Sequence, residues 1–422
     1  MACAFAPPGI FSQLRKSALR MAPLAFVLAG CVSVEKAPVS EWPLEMQAVS
    51  FGDLKGWANE DARAALAAFR LSCGKLAAMA SDQKLGGAGY AGTAGDWRAP
   101  CAAAQNAKAS DAKAARQFFE TIFVPYRIVP HAEGAITFTG YYEPLLRASR
   151  TRHGAYQTPL YGVPPDLITV DLGAFRSNLA GQRIAGRVSG SKLVPYADRA
   201  EIARKGLPQA KTLFYADDPV DVFFLQIQGS GRIMLDDGST VRAVYAAQNG
   251  HPYTAIGGVL VNEGAMTRDN MSMQNIRTWL DAHPERREEI FDKNASYVFF
   301  DEKPLNDPEL GAPGAEGVAL TPRVSLAVDR TFHALGTPLW VETETPQADA
   351  SAPPGSFDHV MIAQDTGGAI KGAVRGDIYW GFSNEASAIA GRMKGQGTLT
   401  VFVPKAVAAR LGNHPRFAGP GT

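Results

Sequence analysis

The stretch that decides how this chain is read runs Asp365-Thr366-Gly367-Gly368-Ala369-Ile370-Lys371-Gly372-Ala373-Val374-Arg375-Gly376-Asp377-Ile378-Tyr379-Trp380-Gly381. It follows a strand-like apolar run, His359-Val360-Met361-Ile362-Ala363, and sets four glycines between two aspartates. Helices and strands both tolerate glycine poorly, so the expected backbone is a sequence of tight turns that delivers Asp365 and Asp377 to one place. Ile378, Tyr379 and Trp380 follow Asp377 directly and can exclude water from it. A desolvated carboxyl favours its neutral form and is a candidate proton donor. Taken locally, the same pattern also fits two aspartates that merely cap turns.

Outward from this stretch, short strands dominate on both sides. Val324 to Val328 is one, ended by Asp329; Leu339-Trp340-Val341 is another, and Thr398 to Val403 is the last. Thr137-Phe138-Thr139-Gly140-Tyr141-Tyr142-Glu143-Pro144 alternates and stops at a proline, as a strand entering a turn does. Tyr141, Tyr142 and Glu143 there are candidates for stacking on and hydrogen bonding to a sugar. Between residues 146 and 302 the pattern suggests an inserted unit rich in short strands. Its anchors are Leu213-Phe214-Tyr215 and Asp221 to Gln228, the latter read as a strand with one face reaching a cleft. Gly229-Ser230-Gly231 reads as a sharp turn and lacks the spacing of a phosphate loop or a nucleophile elbow. Asn270 to Phe291 is helical by its Met273, Ile276, Trp279 and Leu280 stripe, split by Pro284. Pro304 to Pro313 reads as a boundary. Earlier in the chain, residues 32 to about 60 begin as an extended linker, Asp61 to Ala80 is an amphipathic helix, glycines 86 to 95 mark a loop, and Asp111 to Phe123 is a second helix.

The composition narrows function. The chain has 422 residues, long enough for two domains, with 46% hydrophobic and 20% charged content and a net charge of +1. That balance gives no electrostatic case for nucleic acid. With seven histidines, none at metal-ligand spacing and none beside a serine elbow, both metal hydrolysis and a serine triad are disfavoured. Carboxylate chemistry remains, and its commonest form is cleavage of a glycosidic bond by a proton-donating acid. Asp329, Asp365 and Asp377 are the candidates, and no cofactor is called for.

The N-terminus carries Arg15, Lys16 and Arg20, then an apolar run from Ala22 to Gly30 that is too short to remain as a membrane span. Leu28-Ala29-Gly30-Cys31 resembles a bacterial lipobox, which implies cleavage before Cys31 and its lipidation; a plain signal peptide is the alternative. Val32 is not the acidic residue of an inner-membrane retention signal, so residues 1–31 read as the signal of an outer-membrane lipoprotein facing the periplasm. Beyond Cys3 and Cys31, only Cys73 and Cys101 remain, either as one disulfide or as two free thiols.

Several motifs in order resemble one family. They are Gly140-Tyr141-Tyr142-Glu143-Pro144, Leu225-Gln226-Ile227-Gln228-Gly229-Ser230-Gly231, Asn249-Gly250-His251-Pro252-Tyr253, Met271-Ser272-Met273-Gln274 and the Asp365–Gly381 stretch. Together they resemble the membrane-bound lytic transglycosylase A family, and the C-terminal part resembles its three-aspartate domain. The resemblance implies a mainly β fold with some helices: a double-psi β-barrel domain (32–145 and 303–422, with N-terminal helices) interrupted by a smaller β-barrel domain (146–302), with a substrate groove between. It implies cleavage of the β-1,4 bond between N-acetylmuramic acid and N-acetylglucosamine in peptidoglycan, leaving 1,6-anhydromuramic ends, without metal or cofactor. Asp377 matches the family's acid, Asp365 and Asp329 its companions, and Gln228, Gly229 and Ser230 the inserted wall of the groove, with Tyr379 beside the acid. Glycan strands and the outer membrane are the implied partners, with the cell-wall synthesis machinery as a further one. A two-carboxylate hydrolase and a non-catalytic wall-binding lipoprotein are the rival readings.

Overall fold

The structure, a computed structural model, describes residues 44–129, 137–179, 182–411 and 417–418. The signal segment and Cys31 lie outside the described residues. The described chain is mainly β with some helices, as expected.

The chain opens with strand β1 (Glu45–Ala48) and helices α1 (Arg63–Ala77), α2 (Arg98–Asn106) and α3 (Ala112–Ile122), followed by β2 (Phe123–Val129) and β3 (Thr137–Tyr141). Asp111 caps α3 by accepting from the Ala114 N–H at 2.8 Å, which satisfies one of the free donors of the first turn. Of the residues read as beginning in an extended linker, 32–43 lie outside the described residues, and from Glu45 the chain forms β1, which pairs antiparallel with β2. Cys101 sits on α2, a short helix that the sequence reading missed, and is bonded to Cys73 on α1. Alanines dominate α2, so its apolar face is shallow and the periodic signal weak.

The middle of the chain gives β4 (Leu145–Ser149), β5 (Thr158–Tyr161), β6 (Ile168–Asp171), β7 (Arg183–Ser189), β8 (Lys192–Pro195), α4 (Arg199–Lys205), β9 (Thr212–Ala216), α5 (Pro219–Gln228), β10 (Ser230–Leu235) and β11 (Thr240–Gln248). Then come α6 (Ile256–Asn262), α7 (Met273–Ala282), α8 (Arg287–Asp292) and β12 (Val298–Pro304). Six of these strands form one sheet in the order β12-β11-β10-β4-β9-β5, and β6-β7-β8 form a separate small one. The strand expected over Asp221–Gln228 is instead α5. Pro219 occupies its first turn, Asp218 accepts from the Val220 N–H, and Gly229 closes it in the left-handed region at φ 82°. A run apolar on all sides does not reveal its period, and α5 is buried along Val220 and Val222–Gln226. Pro284 does split the following helix, separating α7 from α8.

The last part returns to the first sheet with β13 (Ser325–Val328), β14 (Pro338–Thr345), β15 (Gly355–Asp365), β16 (Arg375–Tyr379), α9 (Asn384–Ala390), β17 (Lys394–Gly395), β18 (Gly397–Pro404), α10 (Lys405–Leu411) and β19 (Phe417–Ala418). The ten-stranded order is β17-β3-β16-β13-β15-β14-β18-β2-β1-β19. Strand β3, from before the insertion, therefore lies between strands that come after it. The Pro346–Pro354 segment connects the antiparallel pair β14 and β15. One apolar core, with Phe69, Phe138, Trp340, Ile378 and Trp380 among its members, packs under this sheet.

Candidate active site

Strand register builds the site. Thr139 on β3 pairs with Asp377 on β16, Asp377 pairs with Ala327 on β13, and Ala327 pairs in turn with Asp365 on β15. Residues level with one another on adjacent strands share a face of the sheet, so both aspartates project from the same side. With strands about 4.8 Å apart, their backbones are separated by roughly 10 Å. Every second residue joins them: Tyr141 pairs with Tyr379, and the two rings lie 5.3 Å apart.

The opposite face explains the glycines. A Cβ on Gly140 would stand 2.7 Å from the Trp380 ring, and one on Gly376 would stand 2.9 Å from Leu326. These glycines let core side chains pass close under the sheet. Inside the Asp365–Asp377 segment only Gly372, at φ 118°, has a backbone conformation that favours glycine. Register, and not the glycines, brings the aspartates together. Trp380 likewise points into the core, where its N–H meets the Met393 sulfur, so it does not shield Asp377.

Asp377 is half-buried, and Thr139 Oγ1 donates to its Oδ1 at 2.6 Å. Burial pushes its pKa up to about 6, against the lowering effects of the Thr139 bond and the Arg375 charge, with Asp365 adding to the rise. Arg375 is held by the carbonyls of Thr137 and Gly376, at 3.2 and 2.7 Å. Asp365 is also raised by burial, but its oxygens are taken. Oδ1 accepts the N–H groups of Ala315 and Thr366, each at 2.9 Å, and Oδ2 accepts the Tyr141 hydroxyl at 2.8 Å. Asp329 stands apart. Burial alone would raise it, yet the N–H groups of Gly372 (2.8 Å) and Thr331 (3.0 Å) hold it below the usual carboxylate range. It pins the turn that leads into β16.

Three of the expected sugar contacts are placed otherwise. Glu143 is 1% exposed, between Arg232 and Arg242, and cannot reach a ligand. Tyr379 is equally covered, its hydroxyl buried against Gly311 with no hydrogen-bond partner among the described residues. Tyr141 is committed to Asp365 and positions that carboxyl. The other expected groove residues converge on one wall: Gln228 Oε1 accepts the Tyr142 N–H at 3.0 Å, tying the end of α5 to the exit of β3. Gly229 and Ser230 come next, both partly exposed, and nothing lies within 4 Å of the position of a Gly229 Cβ. Thr139, Arg375 and Ala315 were not read from the sequence. Thr139 was within reach, two residues before Tyr141 on an alternating strand; the Ala315 N–H was not, since a backbone donor leaves no mark in sequence. Among the described residues, no group of His, Cys, Asp and Glu is arranged to hold a metal ion.

Residues 137–301 match the model of the MltA specific insert domain and residues 324–403 that of the 3D domain. The crystal structure of a membrane-bound lytic murein transglycosylase from Agrobacterium tumefaciens superposes with a TM-score of 0.76 at 32% identity, covering 87% of this chain and 99% of that one. The chain belongs to the membrane-bound lytic murein transglycosylase A family. The Escherichia coli enzyme of that name is 36% identical over 277 residues, 64% of this chain and 66% of its own length, just short of two thirds. An Escherichia coli family member with bound chitohexaose superposes with a TM-score of 0.59 at 28% identity, covering 80% of this chain and 90% of that one. Among the described residues, no helix is long and apolar enough to cross a membrane.

Proposed function

We propose that the protein is a lytic transglycosylase that cleaves the β-1,4 bond between N-acetylmuramic acid and N-acetylglucosamine in peptidoglycan and leaves a 1,6-anhydromuramic end. The observation that carries this reading is the asymmetry of the two aspartates. Asp377 has one hydrogen-bonded oxygen and a pKa near 6, whereas Asp365 already accepts three donors. A carboxylate so engaged is a weak base and nucleophile, which favours one carboxyl serving both proton transfers.

Asp377 gives its proton to the glycosidic oxygen as that C–O bond breaks and positive charge develops at C1. As carboxylate it then takes the proton of the sugar's own 6-hydroxyl while O6 bonds to C1. A tethered nucleophile carries a large effective concentration, which is why no water is needed. Thr139 holds Oδ1 and leaves Oδ2 to the substrate. The Arg375 charge stabilises the carboxylate between the two transfers. The wall formed by Tyr142, Gln228, Gly229 and Ser230 is assigned to glycan binding. Cys31 is assigned as the lipid attachment point, which would place the fold on the periplasmic side of the outer membrane.

The test is Asp377→Asn, with the products of peptidoglycan digestion read by mass spectrometry. Wild type yields anhydro ends, and the variant loses activity by about 10²–10⁴-fold, the usual worth of a general acid, with glycan binding retained. Reducing ends from wild type would make the protein a hydrolase, and full activity in the variant would remove Asp377 from the mechanism.

A further inference from the structure

The small sheet β6-β7-β8 pairs with neither larger sheet, and its two faces differ in kind. Side chains alternate along each strand, and the register places Ile168, Val170, Ile184, Val188, Leu193 and Pro195 on one face. Ile168, Ile184, Val188 and Leu193 are each at least 39% exposed, and Val188, near the β7–β8 turn, reaches 58%. On the opposite face stand Arg183, Arg187 and Lys192, with one acid, Asp171, paired with Arg183, all exposed. The segment 183–195 contains these three cations and no acidic residue. A four-residue apolar surface on a thin sheet is unfavourable in water and marks an interaction site.

We propose that this amphipathic sheet lies on an anionic phospholipid surface, its apolar face at the acyl boundary and its cations among the headgroup phosphates. An apolar face backed by Lys and Arg is the pattern of elements that lie in the plane of a bilayer interface, and long basic side chains extend past the backbone to reach phosphate. The net positive charge of that face, three cations against Asp171, is complementary to an anionic surface. Distance permits it. Twelve residues separate Cys31 from Leu44, an extended reach of at most ~45 Å, so a lipid on Cys31 would hold the fold beside a bilayer. Only that setting rests on the lipoprotein reading; the contact itself does not need the anchor.

Residues 42–422 form one compact unit holding every described sheet and core, so the anchor can be left out of the test. This fragment is sedimented at low salt with vesicles of phosphatidylethanolamine plus phosphatidylglycerol, and with vesicles of phosphatidylcholine alone. Binding is expected to the anionic vesicles. It should fall roughly tenfold in a Val188→Ser, Leu193→Ser double variant and again in an Arg187→Glu, Lys192→Glu double variant, as both apolar area and charge drive interfacial binding. All four positions are exposed, so melting curves should not change. No binding by wild type, equal binding by the variants, or a wild-type dimer that the serine variant loses would each overturn the proposal. Mass spectrometry of the lipid on Cys31 tests the anchor separately.

Discussion

Two carboxylates of this molecule are buried in the same neighbourhood and do opposite things. Glu143 lies between Arg242 Nε at 2.5 Å and Arg232 Nε at 3.1 Å, and the two guanidinium groups also donate to the carbonyls of Leu310 and Pro308. These contacts fasten the chain where it leaves the ten-stranded sheet and where it returns. Asp377 has one hydroxyl donor, is partly exposed and, among the described residues, has no ion pair. What separates a structural carboxylate from a reactive one is the number of donors and cations that claim its oxygens. Asp377, with few claims on it, keeps its proton to higher pH.

The comparison breaks most visibly at Glu143. Glu143→Ala strands two guanidinium groups in a site with no anion, and removing one partner of a buried pair costs about 3–5 kcal/mol. The unfolding free energy should drop by that amount, and the denaturant midpoint by that amount divided by an unchanged slope. An unchanged midpoint would show that the cluster is solvated and that Glu143 is free for another role.

Asp377→Asn should go the other way in stability. The folded pKa of Asp377 is raised, so the native state holds a proton that the unfolded chain has lost. Stability is therefore full below about pH 4 and declines as pH rises to about 6. The asparagine variant escapes that loss. Above pH 7 it should be more stable than wild type by an amount on the order of 1–3 kcal/mol, discounted for partial exposure, and equal to it near pH 4. Thermal melts at the two pH values measure this, and they separate lost chemistry from a damaged fold.

Thr139→Val sharpens the same point by removing the only side-chain donor to Asp377 among the described residues. That bond favours the ionised form and is worth about 1.5 kcal/mol, or roughly one pH unit. The alkaline limb of kcat/KM, expected near pH 6 in wild type, should move up by about that much. A limb that stays in place would mean that another group controls the proton.

Sequence told these carboxylates apart only where a motif did. The aspartate stretch, the flanking strands and the insertion were legible because alternation, turn residues and proline stops are local signals. Helix α5 was not, since an apolar run of that length suits a buried helix or a buried strand equally. Glu143 looked like a sugar contact because Arg232 and Arg242 lie 89 and 99 residues away. Local pattern left Asp365 and Asp377 equivalent; the family resemblance separated them, and the register adds the physical difference, Tyr141 on one and Thr139 on the other. Partners distant in sequence decide charge state, and local patterns do not carry them.

The smallest effect concerns a carboxyl that no motif marked. Glu316 adjoins Ala315, whose N–H holds Asp365, and its own N–H bonds the Gln364 carbonyl at 3.0 Å. Ser72 donates to Oε2 at 2.7 Å, Oε1 is buried with no partner among the described residues, and burial pushes the pKa up to about 7. By the same sign as Asp377, this group stabilises the fold below about pH 4.5 and progressively less up to about pH 7. Glu316→Gln keeps the shape and an acceptor for Ser72 but cannot ionise. Its melting temperature should gain on that of wild type between pH 5 and pH 8, by an amount on the order of 1–2 kcal/mol. Activity at pH 5, where both proteins are neutral at this position, should be the same. A constant offset in stability at every pH would instead make Glu316 a packing residue whose charge does not matter.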